Sequence, residues 1–233
     1  MTGASLDKCR SYLDAQAARV EAGQARKELP LVTISREALA GASDIAQLVA
    51  QRLNEKASAE DCPWTVFDRN LVERVLEDHE LPKAIDRFMS EDASVFSPGS
   101  AVEELLGLHP SDWTLVQHTT ETILRLAHLG NVILIGRGAN VITSHSRKAF
   151  HVRLVAPMRF RVQRAAEIYK LTTAEAEACV HERDAARRRY VKHNFHVAID
   201  DPLQYHAVLN SGLISFEHVA RLIADAVWMH ASR

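Results

Sequence analysis

Short apolar runs rich in β-branched residues alternate along this chain with longer stretches whose apolar positions recur every three or four residues. That alternation restricts the fold more than any other feature, because it joins buried strands through helical crossovers. Leu31–Ser35, with Val32, Thr33 and Ile34 entered through Pro30, reads as a buried strand. A helix is expected from about Ser43, with Ile45, Leu48, Val49 and Leu53 on one stripe and Asp44 complementing its positive end. Trp64–Phe67, Val132–Ile135, His151–Val155 and Tyr205–Leu209 repeat the strand signal. Helical patterns run from Leu71 to about Glu80, over Asp112–Leu129 behind Ser111 as N-cap, and from Pro157 to Lys170. Another runs from Thr172, whose spacing to Glu175 is that of a capping box, to about Lys192, and the last is capped by Ser215. The expectation is a three-layer α/β domain on a five-stranded parallel sheet, with ligands at the carboxyl ends of the strands.

With 233 residues and 47% hydrophobic content, the chain suits one enlarged domain. Its 28 basic and 30 acidic residues give a formal charge of -2, which excludes a global positive field for nucleic acid or an anionic membrane. Phosphate binding must therefore be local. Cys9, Cys62 and Cys179 form no C-x-x-C pair and fit reduced thiols. No run of about 18 apolar residues occurs, and Asp7, Lys8, Arg10 and Asp14 stand where a signal peptide needs an apolar core, so a cytoplasmic location is expected. Residues 1–30 read as a helical extension, with Leu6, Cys9, Leu13, Ala17 and Val20 on one face for packing or for a homodimer contact. Within the main unit, 31–233, residues 81–130 read as a helical insertion containing a Ser/Pro/Gly cluster at Ser94–Ser100, and 171–200 as a lid-like region.

The turn after the first strand is the first place to look for phosphate chemistry. A phosphate loop offers backbone N–H groups, a helix N-terminus, a lysine and a hydroxyl for magnesium. Set against G-x-x-x-x-G-K-[ST], Arg36–Ser43 reads R-E-A-L-A-G-A-S: Gly41 and Ser43 match, Arg36 replaces the first glycine and Ala42 the lysine. An ordinary βα turn with Ser43 as N-cap explains the same residues.

The stretches T-I-S-R-E at Thr33–Glu37, G-A-S-D-I-A at Gly41–Ala46 and V-F-D-R-N-L-V at Val66–Val72 resemble the cytidylate kinase-like family. So do I-G-R-G-A-N at Ile135–Asn140, V-R-L-V-A-P at Val152–Pro157 and D-A-A-R-R-R-Y at Asp184–Tyr190, in the same order. The resemblance implies the P-loop kinase fold with a helical lid, and ATP- and magnesium-dependent phosphorylation of a nucleoside monophosphate such as CMP. It places Arg36, Gly41, Ala42 and Ser43 at the ATP phosphates, with Ser43 also at magnesium. It places Arg137, in the element resembling G-R-D, and Arg69 at the acceptor phosphate.

The same resemblance makes Arg183, Arg187 and Arg188 lid cations over the transferring phosphoryl group, with Asp184 orienting Arg187 or Arg188. Tyr190 stacks on a base, packs beneath one, or simply packs within the fold, and Asp68 orients the acceptor, binds magnesium through water, or caps a helix. A solvated basic face is the competing account of the arginine run. His181, His193, His196 and His206 have loose metal-ligand spacing without a supporting cysteine or H-E-x-x-H helix.

The departures are as informative as the matches. Leu39, Ala40 and Ala42 stand where small or glycine residues belong, and Gly138 replaces the acid of G-R-D. Added Cβ atoms restrict positive φ and close phosphate approach. A second reading therefore stands beside the first: a weakly active or inactive nucleotide-binding protein, or a dimeric interaction module, of the same fold.

Overall fold

The computed structural model describes residues 12, 29–57, 62–68 and 112–231. The expected helices at Ser5–Ala22 and after Asp68, the Ser94–Ser100 cluster, Ser111 and Arg69 lie outside them.

Five strands form one sheet: β1 (Leu31–Arg36), β2 (Thr65–Phe67), β3 (Val132–Ile135), β4 (Ala149–Val155) and β5 (Ala207–Asn210). Their order is β2-β3-β1-β4-β5 and every neighbouring pair is parallel. The described helices are α1 (Ala42–Lys56), α2 (Asp112–Leu129), α3 (Ala139–Ile142), α4 (Met158–Tyr169), α5 (Thr173–Phe195) and α6 (Phe216–Ala231).

Strand side chains alternate between faces, and the two faces differ here. Val32, Ile34, Ile133, Ile135, Val152 and Leu154 join α1 and α6 in the larger apolar core. Leu31, Val132, Leu134 and Phe67 pack on the other side with Ile123, Leu126 and Leu129 of α2. The C-terminal part of the 81–130 segment is thus a layer of the fold. Further along this second face the sheet turns polar. Thr33 stands beside His151 and Ser35 beside Arg153 in the β1–β4 register, all four buried. A third cluster seats Ala38 and Leu39, from the turn after β1, against Val162, Ala165, Ala176 and Val180 of α4 and α5.

Most boundaries fall where expected, and the shifts have local causes. Helix α1 starts one residue early: its N-cap position is Gly41, left-handed at φ 78 with no side-chain cap, so Ser43 is not the cap. Thr172 and Glu175 do form the reciprocal capping box of α5. That helix continues past Lys192 to Phe195, where left-handed His196 returns its N–H to the Lys192 carbonyl. Pro157 is the N-cap of α4 and not its first helical residue. Strand β5 starts at Ala207 and not Tyr205, because the Tyr205 N–H closes a 3-10 turn at Pro202–Gln204. The Ser215 hydroxyl accepts from the His218 N–H, as an N-cap should.

Candidate functional site

At the carboxyl ends of β1 and β3, under α5, lies a cavity of about 730 Å³. Its lining includes Arg36, Arg137, Arg183 and Arg187, together with Ser35 and Tyr190. Among the described lining residues there is no carboxylate. Position and charge both suit an anionic ligand.

Each arginine arrives from a different constraint. Arg36 ends β1 and its guanidinium crosses the end of β3, with Nη1 1.8 Å from where a Cβ on Gly136 would lie; the φ of 82 there favours glycine. Arg137 follows with φ 55, a left-handed conformation that turns it back toward α5, where its guanidinium sits 5.4 Å from the Tyr190 ring centre. Arg183 rests 4.5 Å from the Tyr169 ring centre and donates to the Tyr169 hydroxyl at 2.6 Å. Arg187, one turn on, reaches Asp184 Oδ1 at 3.4 Å. Burial pulls the Arg187 guanidinium below the ordinary arginine range, and Asp184 opposes that shift. A partly desolvated cation of this kind gains more from an incoming anion than a hydrated one.

The acid expected at position 138 has no space. Gly138 is left-handed at φ 71, and a Cβ there would lie 2.3 Å from the Phe195 ring. Phe195 stands edge-on to Tyr190, and Tyr190 and Val191 of α5 line the cavity.

The polar strip of the sheet supplies the floor. Thr33 and Ser35 line the cavity, with Thr33 Oγ1 2.8 Å from His151 Nδ1 and Arg153 donating to Ser35 Oγ at 3.1 Å. Arg153 also pairs with Asp200, and the Tyr205 hydroxyl donates to the Ile199 carbonyl at 2.8 Å while its oxygen lies 3.2 Å from Ser35 Oγ, placed to accept from it. Burial, then repulsion from His206 and His230, pushes the His151 pKa down to about 4, so its ring is neutral at neutral pH. His206 packs against His151 and His230, whereas His181, His193 and His196 are exposed. Among the described residues no three His, Cys, Asp or Glu side chains group as metal ligands.

The turn Arg36–Ser43 has two left-handed residues, and its groups are engaged within the fold. Leu39 adopts φ 61 and Gly41 φ 78, so the backbone takes up left-handed positions even where the sequence has leucine. Ala38 is fully buried, and its N–H donates to Asp184 Oδ1 at 2.6 Å. Asp184 Oδ2 pairs with the buried Arg161, whose Nε donates to the Ala156 carbonyl at 2.8 Å and lies 3.4 Å from Glu37 Oε2. Phe216 covers Gly41, where a Cβ would lie 2.2 Å from the ring. Ala42 packs into the core, and Ser43 is exposed and lines no part of the cavity.

The remaining expected residues divide. Arg36, Arg137, Arg183, Arg187 and Tyr190 come together in the cavity. Asp184 faces the first turn and Arg187, not Arg188, which is exposed outside the lining. Asp68 ends β2, two strands from β1, and does not line the cavity. Sequence reading missed Arg161, Arg153, Phe195 and the Thr33–Ser35 floor. Alternation along β1 and β4 was the available signal, since Thr33, Ser35, His151 and Arg153 share one face.

A model of the cytidylate kinase-like family matches residues 31–213. The chain belongs to this family. The match spans the cavity, both glycine turns and the Asp184–Arg161 pair. A crystal structure of an uncharacterized protein from Eubacterium ventriosum ATCC 27560 superposes with TM-score 0.65 at 15% identity, covering 87% of this chain and 99% of that one. Shikimate kinase from Acinetobacter baumannii in complex with shikimate gives TM-score 0.48 at 15% identity, covering 90% and 99%. Dephospho-CoA kinase from Campylobacter jejuni gives 0.37 at 10%, covering 86% and 98%. No curated protein sequence matches significantly. No described helix is long and apolar enough to cross a membrane.

For a member of a kinase-like family, the magnesium site is the weakest fit. The carboxylate next to Ser43, Asp44, is held by Arg164 at 2.8 Å, and position 138 has no room for an acid. Beside the Ser43 hydroxyl, neither Asp44 nor position 138 thus offers magnesium an unengaged carboxylate.

Proposed function

We propose that this chain binds a nucleoside monophosphate, CMP-like in size, in the arginine cavity and transfers a phosphoryl group to it from ATP. The observation that carries this reading is the cavity itself: four arginines and no described carboxylate on its lining, with the Tyr190 ring beside them. Arg137 and Arg36 bind the acceptor phosphate through planar guanidinium forks. Arg183 and Arg187 stabilise the equatorial oxygens of the phosphoryl group in transit. An acceptor phosphate oxygen attacks the γ-phosphorus, and the bond from that phosphorus to the ADP oxygen breaks. The acceptor phosphate is largely dianionic at neutral pH, with a second pKa of about 6, so no carboxylate base is needed at Gly138.

A second reading, binding without turnover, is favoured by a separate observation. The first turn carries no lysine, and its Ala38 N–H is taken by Asp184. Calorimetric titration with CMP, and with ATP plus magnesium, followed by turnover assays on CMP, dCMP and UMP, separates the two. CMP binding with ADP formation supports transfer. CMP binding without ATP binding or turnover leaves the binding protein, and absence of CMP, dCMP and UMP binding removes both.

A further inference from the structure

The pairing of β4 with β5 opens on a bond that a side chain supplies. His206, the residue before β5, donates its N–H to the His151 carbonyl at 2.8 Å and accepts the His151 N–H on its own ring nitrogen Nδ1 at 3.0 Å. His151 is buried, so its N–H has to be met within the protein. Since a backbone N–H only donates, Nδ1 carries no proton and the neutral ring holds its proton on Nε2. The His206 ring stacks 5.1 Å from Phe150 and stands 5.1 Å from His151 and 5.0 Å from His230 of α6, and it keeps solvent access.

Residues 197–206 run from the end of α5 to β5 along one side of the cavity. Ile199 lines it, its carbonyl accepts from the Tyr205 hydroxyl, and Gln204 Oε1 accepts at 3.4 Å from Asn140, another lining residue. We propose that His206 is an acid-sensitive clasp for this segment: unprotonated Nδ1 holds it to β4, and a proton on Nδ1 releases it together with the cavity wall at Ile199. A protonated ring sets N–H against N–H and can no longer accept. The groups around it are His151 from β4, His230 from α6, and Arg147 and Lys148 from the turn before β4, none of which carries negative charge. Arg147 gives its carbonyl to His230 Nε2 at 2.9 Å and Lys148 holds the Ala231 carbonyl at 3.1 Å. Asp200 and Asp201, on the segment itself, are engaged by Arg153 and by the Leu203 N–H. Burial, then repulsion from His230, accordingly pulls the His206 pKa below the ordinary histidine range. A released His206 titrates near 6.5, so attachment is full above that pH and weakens as pH falls toward the lower value of the clasped ring. His151, titrating near 4, stays neutral through most of this window. The phosphotransferase reading enters only through CMP as a probe of the cavity.

The test follows ring-nitrogen resonances and amide exchange in isotope-labelled full-length protein. At about pH 7.5 the neutral His206 ring should carry its proton on Nε2; a proton on Nδ1 overturns the proposal. Between about pH 7.5 and about pH 5.5, protection of the His151 and His206 amides, corrected for intrinsic exchange, should fall about five- to tenfold. The Thr65 amide, bonded to the Asn131 carbonyl at the opposite edge of the sheet, should keep its protection. His206→Asn sets an amide oxygen near the Nδ1 position and does not titrate, so its protection should not depend on pH. A fall that includes Thr65 equally, or an equal fall in wild type and His206→Asn, overturns the clasp. Should His206→Asn not fold, the wild-type tautomer and the contrast between His151 and Thr65 decide. CMP affinity over the same range should drop at least about threefold more in wild type than in His206→Asn, a comparison that cancels titration of the CMP phosphate itself. Equal drops overturn the link to the cavity. Absence of CMP binding at both pH values would sink the proposed function and spare the clasp, which exchange alone decides.

Discussion

The turns after β1 and β3 are built alike and end up in different states. Each leads into a helix through a left-handed, uncapped glycine, Gly41 at φ 78 and Gly138 at φ 71. In each, an aromatic ring fills the space a Cβ would need, Phe216 over Gly41 and Phe195 over Gly138. Yet Gly136–Asn140 lies open along the cavity, while Ala38 and Leu39 are packed under α4 and α5 with Asp184 on the Ala38 N–H. The same backbone device therefore serves as a ligand wall in one place and as an internally satisfied loop in the other. What separates them is the side chain that α5 presents: Arg187 and Tyr190 to the cavity, Asp184 to the first turn.

The contrast breaks most severely at Asp184. Replacing it with alanine strips the closest carboxylate from buried Arg161 and should cost about 3–5 kcal/mol in chemical denaturation, somewhat less to the extent that Glu37 compensates. Acid should act next, and on the cavity side. Folded His151 titrates near 4 against 6.5 unfolded, so between these values the unfolded chain binds more protons. Stability is full above about pH 6.5 and falls toward pH 4 by up to about 3 kcal/mol. Urea denaturation across this range, compared with His151→Asn, should show the loss in wild type and much less in the variant.

Two alanine substitutions sharpen the comparison. Gly41→Ala and Gly138→Ala should each destabilise by about 1–3 kcal/mol, from left-handed strain and a displaced ring. Only Gly138→Ala should also weaken CMP, because Gly138 lines the cavity and Gly41 does not. Arg137→Ala should leave denaturation nearly unchanged and weaken CMP by about tenfold to a hundredfold in calorimetry, the value of a charge-assisted hydrogen bond. Smallest is Thr172→Ala, which removes the α5 cap far from both turns. It should cost about 1 kcal/mol in thermal unfolding and leave CMP affinity as it was.

The sheet and its crossovers were legible because strand and helix periods are local properties. Strands β2 and β3, helix α2 and the Thr172–Glu175 box stand within a residue of the pattern in the sequence. Arg137, Arg183 and Arg187 were legible for the same reason, lying at a strand end and on one helical face. What stayed hidden depends on pairs far apart in the chain. Nothing near Ala38 announces that Asp184, 146 residues later, will take its N–H. Nothing near Gly138 announces Phe195, and Arg161 reads as one more charge on an amphipathic helix until Asp184 and Glu37 close on it. Arg36 was placed with the first turn by its neighbours in sequence, whereas the missing Cβ of Gly136 lets it lean into the cavity.

A crystal structure with CMP alone tests the division between the two turns most directly. The account predicts the CMP phosphate on Arg137, with Arg36 or Arg187 as a second contact and Asp184 still accepting from the Ala38 N–H. A phosphate bound on the backbone of residues 37–43 with the arginine cavity empty would contradict it.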